Sequence, residues 1–203
     1  MDLKRRSVLT FGIAGLGGGL LFRAQPAAGK RNLNPAFVRP PGALAEDEFL
    51  SKCIRCGECM KVCPTNAIQP AMLESGLEGM WSPLLKLRVG YCEYKCTMCT
   101  QVCPTGAISK LPLEKKQKTK IGLSVVDKNR CLPYSFGKAC QMCYDQCPLS
   151  DKAISLVTAN VTIGTKTLTL KQPQVNSDLC IGCGICENKC PVEGLSAIRV
   201  ESV

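Results

Sequence analysis

The chain runs to 203 residues with a formal charge of +10; sixteen of its residues are cysteine and none is histidine. The missing imidazole excludes Ser-His-Asp and Cys-His catalysis, histidine-held haem, Rieske-type centres and Cys2His2 zinc sites. Aromatics supply only 5% of the chain beside 18 glycines and 13 prolines, so a large hydrocarbon core is excluded too, and something bound through thiolates must help hold the fold.

In chain order, Lys4-Arg5-Arg6-Ser7-Val8-Leu9-Thr10 and the apolar, glycine-rich stretch to Phe22 predict a twin-arginine export signal over residues 1–28. That run is shorter than the ~20 residues of a comfortable spanning helix. Ala24-Gln-Pro-Ala-Ala28 holds small residues but no good A-x-A, which leaves open that the signal is retained as an anchor. A twin-arginine route exports folded cargo and places the protein in the periplasm. Residues 29–50, with Pro35, Pro40 and Pro41, read as a linker, and Asp47 to Lys52 as a short helical lead into the domain at 51–203.

The cysteines then fall into four groups of four with none left over, in motifs at 53–64, 92–104, 131–148 and 180–191. Cys53, Cys56, Cys59 and Cys63-Pro64, like Cys180, Cys183, Cys186 and Cys190-Pro191, follow C-x2-C-x2-C-x3-C-P, the iron–sulfur spacing of bacterial ferredoxins. Two-residue gaps let a tight loop curl around a cube so that three sulfurs reach three irons. The fourth cysteine, followed by proline, leaves the loop toward a helix start and ligates the neighbouring motif's cluster. Motif two, Cys92, Cys96, Cys99 and Cys103-Pro104, has one extra residue in its first gap. Motif three, Cys131, Cys140, Cys143 and Cys147-Pro148, stretches that gap to eight residues, so Leu-Pro-Tyr-Ser-Phe-Gly-Lys-Ala must fold back to deliver Cys131. Four [4Fe–4S] clusters are expected, and no aspartate replaces a cysteine to suggest a three-iron cluster.

Competing chemistries fit less well. Structural zinc favours C-x2-C pairs a dozen or more residues apart. Disulfides leave the C-P endings unexplained. The radical-SAM spacing of Cys92, Cys96 and Cys99 is contradicted by Cys103 and by the lack of a barrel-sized domain. Four clusters of about −2 each bring the charge to about +2, which removes the argument for nucleic acid that the basic pI would otherwise make.

The motifs are separated by 28, 27 and 32 residues, too alike to reveal their pairing. Gly106–Ser109 and Ile121–Asp127 read as two strands of a hairpin joining motifs two and three. On that reading the fold is α+β, small and loop-rich, with two ferredoxin-like dicluster units nested so that motifs two and three lie inside one and four. The clusters are then Cys53, Cys56, Cys59 with Cys190; Cys180, Cys183, Cys186 with Cys63; Cys92, Cys96, Cys99 with Cys147; and Cys131, Cys140, Cys143 with Cys103. A competing scheme pairs motifs one with two and three with four, using the alternating run Val161–Leu170 as a hairpin. Lys110, Lys115, Lys116, Lys118 and Lys120 crowd the turn of the central hairpin; they read as a solvated tip, or more sharply as a surface steering an acidic redox partner. Trp81, Tyr91, Tyr94, Tyr134, Phe136 and Tyr144 lie near the motifs, where packing around the clusters explains them as well as any relay.

Arg39-Pro-Pro-Gly-Ala43, Phe49-Leu50, Cys53-Ile-Arg-Cys56-Gly, Gly90-Tyr-Cys92, Asp127-x3-Cys131-Leu and Ser177-Asp-x-Cys180-x-Gly-Cys183-Gly resemble the ferredoxin-type NapG/MauM family over almost the whole chain. The resemblance implies four [4Fe–4S] clusters on all sixteen cysteines, a twin-arginine signal and no catalytic residue. It also implies a periplasmic electron-transfer role between a polytopic membrane quinol-oxidising protein and a periplasmic redox enzyme. The alternative it carries is an accessory protein that matures a periplasmic enzyme of the methylamine dehydrogenase type.

Overall fold

A computed structural model describes residues 37–202, which belong to one compact unit; the export signal expected over 1–28 and the start of the linker lie outside the described residues. Among the described residues the strands pair in two framing contacts and two internal hairpins. Ala43, just before motif one, bridges antiparallel to Ile108, just after motif two. Between those motifs, β1 (Ile68–Pro70) pairs with β2 (Pro83–Leu85). The second half repeats the plan at larger scale. β3 (Leu123–Val126), before motif three, pairs antiparallel with β6 (Ile198–Glu201), after motif four, in the register Leu123↔Glu201. Between those motifs β4 (Ile154–Ile163) and β5 (Lys166–Val175) form a ten-residue ladder turning at Gly164, whose φ of 61° suits the tight tip.

This topology corrects the nested arrangement. Of the strand expected at 106–109 only Ile108 makes a β-bridge, Gly106 being left-handed with a φ of 72°, and within 121–127 the strand is Leu123–Val126; the two do not pair with each other, since Ile108 goes back to Ala43 and β3 goes forward to β6. The alternating run Val161–Leu170 is the hairpin of the competing scheme. Adjacent motifs therefore join through local hairpins, which close shorter loops than a nested plan requires.

The linker expected over 29–50 is also corrected from Phe37 onward. Phe37, Val38, Pro40 and Pro41 are buried, and the helical lead is α1 (Glu46–Lys52), with Glu46, Asp47 and Glu48 at its N-terminal turn and Lys52 at its last, the order the helix dipole favours. Arg39 explains why a proline-rich strap packs inward. Its guanidinium meets both carboxylate oxygens of Glu46 at 2.9 and 2.6 Å, donates to Ser82 Oγ at 2.9 Å and Pro83 O at 2.6 Å, and lies 4.4 and 4.2 Å from the rings of Phe37 and Phe49. Arg39→Ala strands the Glu46 carboxylate in this half-buried setting, and a loss of about 3–5 kcal/mol is expected in denaturant unfolding. Arg39→Lys, a point charge in place of a fork, is expected to recover little of it; full recovery would show that charge alone suffices.

Four single-turn helices mark the motifs: α2 (Glu58–Lys61), α3 (Met98–Gln101), α6 (Met142–Asp145) and α7 (Ile185–Asn188), with α4 (Leu113–Lys118) and α5 (Leu132–Ser135) between them in chain order. Each marker helix carries its motif's third cysteine and ends just before the fourth, so the Cys-Pro step closes a helix; the helix start expected after it is corrected. In motifs one and four the helix begins at a left-handed glycine, Gly57 and Gly184, whereas Thr97 and Gln141 hold that place at negative φ in motifs two and three. Gly182 is required for a second reason. A Cβ there would lie 2.5 Å from the backbone of Gly122, so the segment leading into β3 passes directly over the fourth motif's loop.

Candidate metal centres

Each marker helix turns its third cysteine inward while the preceding loop brings the first two alongside, and the fourth thiol arrives from the paired motif. Four small cavities of about 20 Å³ each result. Site 1 is ringed by Cys53, Cys56, Cys59 and Cys103; site 2 by Cys92, Cys96, Cys99 and Cys63; site 3 by Cys180, Cys183, Cys186 and Cys147; site 4 by Cys131, Cys140, Cys143 and Cys190. All sixteen cysteines expected as ligands are thus gathered into quartets, and the first three members of each set are as expected. The fourth is corrected in every case, because the strand pairing makes partners of adjacent motifs. Cys131 reaches its site because Leu132–Ser135 forms one helical turn, with Pro133 near its start, that folds the long gap back.

The donor chemistry fits a polyatomic, cationic core. All sixteen thiols are free, and among the described residues no three of them, or of neighbouring carboxylates, converge as a single ion requires. The quartets stand around a space, which suits a cube and not a zinc ion. Burial and mutual crowding push the thiols up: Cys59, Cys99, Cys143 and Cys183 to about 12, and Cys131 to about 11. These thiols would give up their protons to hold an iron–sulfur core, whose positive charge would offset their crowding, so loading would be coupled to proton release. The crossing cysteines of the first half differ. For Cys63 the cost of burial is outweighed by the Thr65 hydroxyl at 3.6 Å and by the amides of Ile68, Ala67 and Thr65; for Cys103 it is outweighed by the Ile108 amide at 3.4 Å and the Thr105 hydroxyl at 3.7 Å. Both are held below the ordinary thiol value.

The sites stand in a row. Cys59 and Cys99, from sites 1 and 2, share one packed core, and charge on Cys59 is among the influences that raise Cys99. Between sites 2 and 3 the Cys92 amide donates to Cys183 O at 2.8 Å, and charge on Cys92 raises Cys183. Cys143 and Cys186, from sites 4 and 3, pack together on Ile154 and Ile198. Ser124, on β3 and buried, sits with its hydroxyl 3.3 Å from Cys186 Sγ and 3.5 Å from Cys180 Sγ. Sequence reasoning singled out neither Ser124 nor the threonines, although the shared Cys-Pro-Thr at 63–65 and 103–105 is a legible signal. None of the six aromatics expected around the sites lines these four cavities, and Trp81 and Phe136 are more than half exposed.

Quartets of thiols on paired Cys-Pro motifs, framed by two-stranded sheets, define an iron–sulfur protein of the ferredoxin type. The 4Fe-4S binding domain model matches residues 49–69 and 173–196, the two motifs whose helices begin at left-handed glycines. The ferredoxin-type protein NapG of Escherichia coli is 38% identical over 158 residues, covering 77% of this chain and 67% of its own. The methylamine utilization ferredoxin-type protein MauM is 38% identical over 203 residues in Methylorubrum extorquens, covering 97% and 88%, and 36% identical in Paracoccus denitrificans, covering 98% and 85%. The chain belongs to the ferredoxin-type NapG/MauM family.

Proposed function

We propose that the protein holds four [4Fe–4S] clusters, one in each quartet, and carries single electrons along them in the order of sites 1, 2, 3 and 4. The observation that carries this reading is the row itself, in which every junction brings cysteines of adjacent sites into packing or hydrogen-bonded contact. A bound [4Fe–4S] cluster supplies a one-electron couple with no open iron for substrate. The chain's residues do the rest: the crossing cysteines tie neighbouring motifs into one body, apolar walls such as Ile68, Leu85 and Ile181 exclude water, and Ser124 and backbone amides donate to the sulfurs. Cys56 is the one exposed cysteine, which supports site 1 as the place where electrons cross to a partner.

The partners in this reading are a membrane quinol-oxidising protein and a periplasmic redox enzyme. The twin-arginine pattern at Lys4–Thr10 and membership of the family support it. Among the described residues no helix is long and apolar enough to cross a membrane. Protein prepared without oxygen is expected to carry about sixteen irons and to accept about four electrons per chain, and to be reduced when quinol is added with membranes of its host. Half the iron, or reduction that ignores quinol, would overturn the corresponding part. Ser124→Ala is expected to keep its iron and lower one midpoint potential by about 40 mV, the equivalent of one hydrogen bond of about 1 kcal/mol; an unchanged set of potentials would show that the hydroxyl has no part in tuning.

A further inference from the structure

Of the five lysines expected at a solvated turn, Lys110, Lys115, Lys118 and Lys120 are exposed, but Lys116 is 2% exposed and is the one charged residue in the buried class among the described residues. It reaches inward from α4 to the first gap of motif two. Its ammonium donates to Glu93 O at 2.5 Å and Tyr94 O at 3.1 Å, and lies 5.9 Å from the centre of the Tyr94 ring. Among the described residues no carboxylate pairs with it. The extra residue between Cys92 and Cys96 therefore has a structural purpose, since the widened loop turns two carbonyls onto a buried cation. Two neutral carbonyls only partly compensate an ammonium taken out of water. The anionic partner that completes the balance is the thiolate-bound cluster of site 2, since the Glu93 and Tyr94 carbonyls that hold the ammonium lie on the short loop between Cys92 and Cys96.

We infer that Lys116 makes the cluster of site 2 the most oxidising of the four, the place where an electron on the row comes to rest. The reasoning rests on the four-cluster reading above. A cluster held by four thiolates carries about −2 when oxidised and about −3 after accepting one electron. A fixed positive charge in a low-dielectric wall stabilises the more negative state and raises the potential. Two other cations stand near a site, Arg55 in the lining of site 1 and Lys152 on the Tyr144 and Asp145 carbonyls beside site 4, but Arg55 is exposed and Lys152 only half-buried, so water screens them as it does not screen Lys116. Site 2 also borders the crossing between halves through Cys92 and Cys183, so the electron is held on the near side of the middle step.

The test is a redox titration of the full, iron-loaded protein followed by electron paramagnetic resonance. Lys116→Met is expected to shift the most positive couple at least tenfold toward oxidation, 59 mV for one electron, with the other three nearly unmoved, and Lys116→Arg is expected to keep the wild-type value. Unchanged potentials at full iron content, or four equal shifts, would overturn the inference. A second measurement leaves Lys116 in place: Cys96→Ser is expected to perturb the signal that appears first on reduction, and perturbation of a later signal would overturn it. Wild-type protein short of four clusters would instead count against the reading of function.

Discussion

Removal of iron by a chelator under reducing conditions is expected to unfold residues 37–202, with loss of the far-ultraviolet dichroism and of any cooperative thermal transition. The elements that remain are too small to stand alone. Among the described residues five of the helices are single turns and all three sheets are two-stranded, both marginal in water without tertiary support. The apolar interior is divided into three clusters, and cysteines are members of the two largest. With the cores removed, those thiols line cavities instead of filling a core. By comparison with structural metal sites in small domains, the cores contribute on the order of 10 kcal/mol to folding. Iron-free, reduced protein with an undiminished transition temperature would show that the hydrocarbon core suffices.

Replacement of Arg88 by alanine is expected to loosen the middle of the row while leaving both halves loaded. Its guanidinium donates to Glu187 O at 3.2 Å, Cys190 O at 2.9 Å and Val192 O at 2.6 Å, and Asn188 Nδ2 returns a bond to Arg88 O at 3.2 Å. Those acceptors are carbonyls at and just beyond the C-terminal end of α7, where a cation is best placed to satisfy orphan acceptors and the helix dipole. Next door, Leu87 packs so closely on Gly184 that a Cβ there would lie 2.5 Å away. Loss of three charge-assisted bonds is expected to cost about 2–4 kcal/mol and to slow electron equilibration between the halves, read by rapid-mixing reduction. Arg88→Lys is expected to recover only part, because one ammonium does not span three acceptors. Unaltered equilibration together with lowered stability would place the electronic junction away from Cys92 and Cys183.

The chemistry of the site was legible because cysteine spacing is local: three thiols on a short loop depend on ten or so neighbouring residues. The fourth ligand depends on which strands pair, and that is a long-range choice. Ile108 forms a β-bridge and Leu123–Val126 a strand, but periodicity gives a strand's faces and not its partner, so the sequence pairs these segments with each other where the fold pairs them with Ala43 and β6. The alternating run at 161–170 carried the correct topology. Arg39-Pro-Pro-Gly has the composition of a linker, and only the two aromatic rings and Glu46 around the guanidinium make it a strap. Lys116 was indistinguishable from its four exposed neighbours, since nothing in a run of lysines marks which one the helix turns inward.

The pairing of adjacent motifs is tested most directly by which cysteines share a cluster. Serine is placed singly at Cys103, Cys56 and Cys140 in the full chain, and each variant's paramagnetic spectrum is recorded after reduction. The account predicts that Cys103→Ser and Cys56→Ser perturb one and the same signal, because both thiols ring site 1. A signal shared between Cys103→Ser and Cys140→Ser would restore the nested arrangement and contradict the row of sites described here.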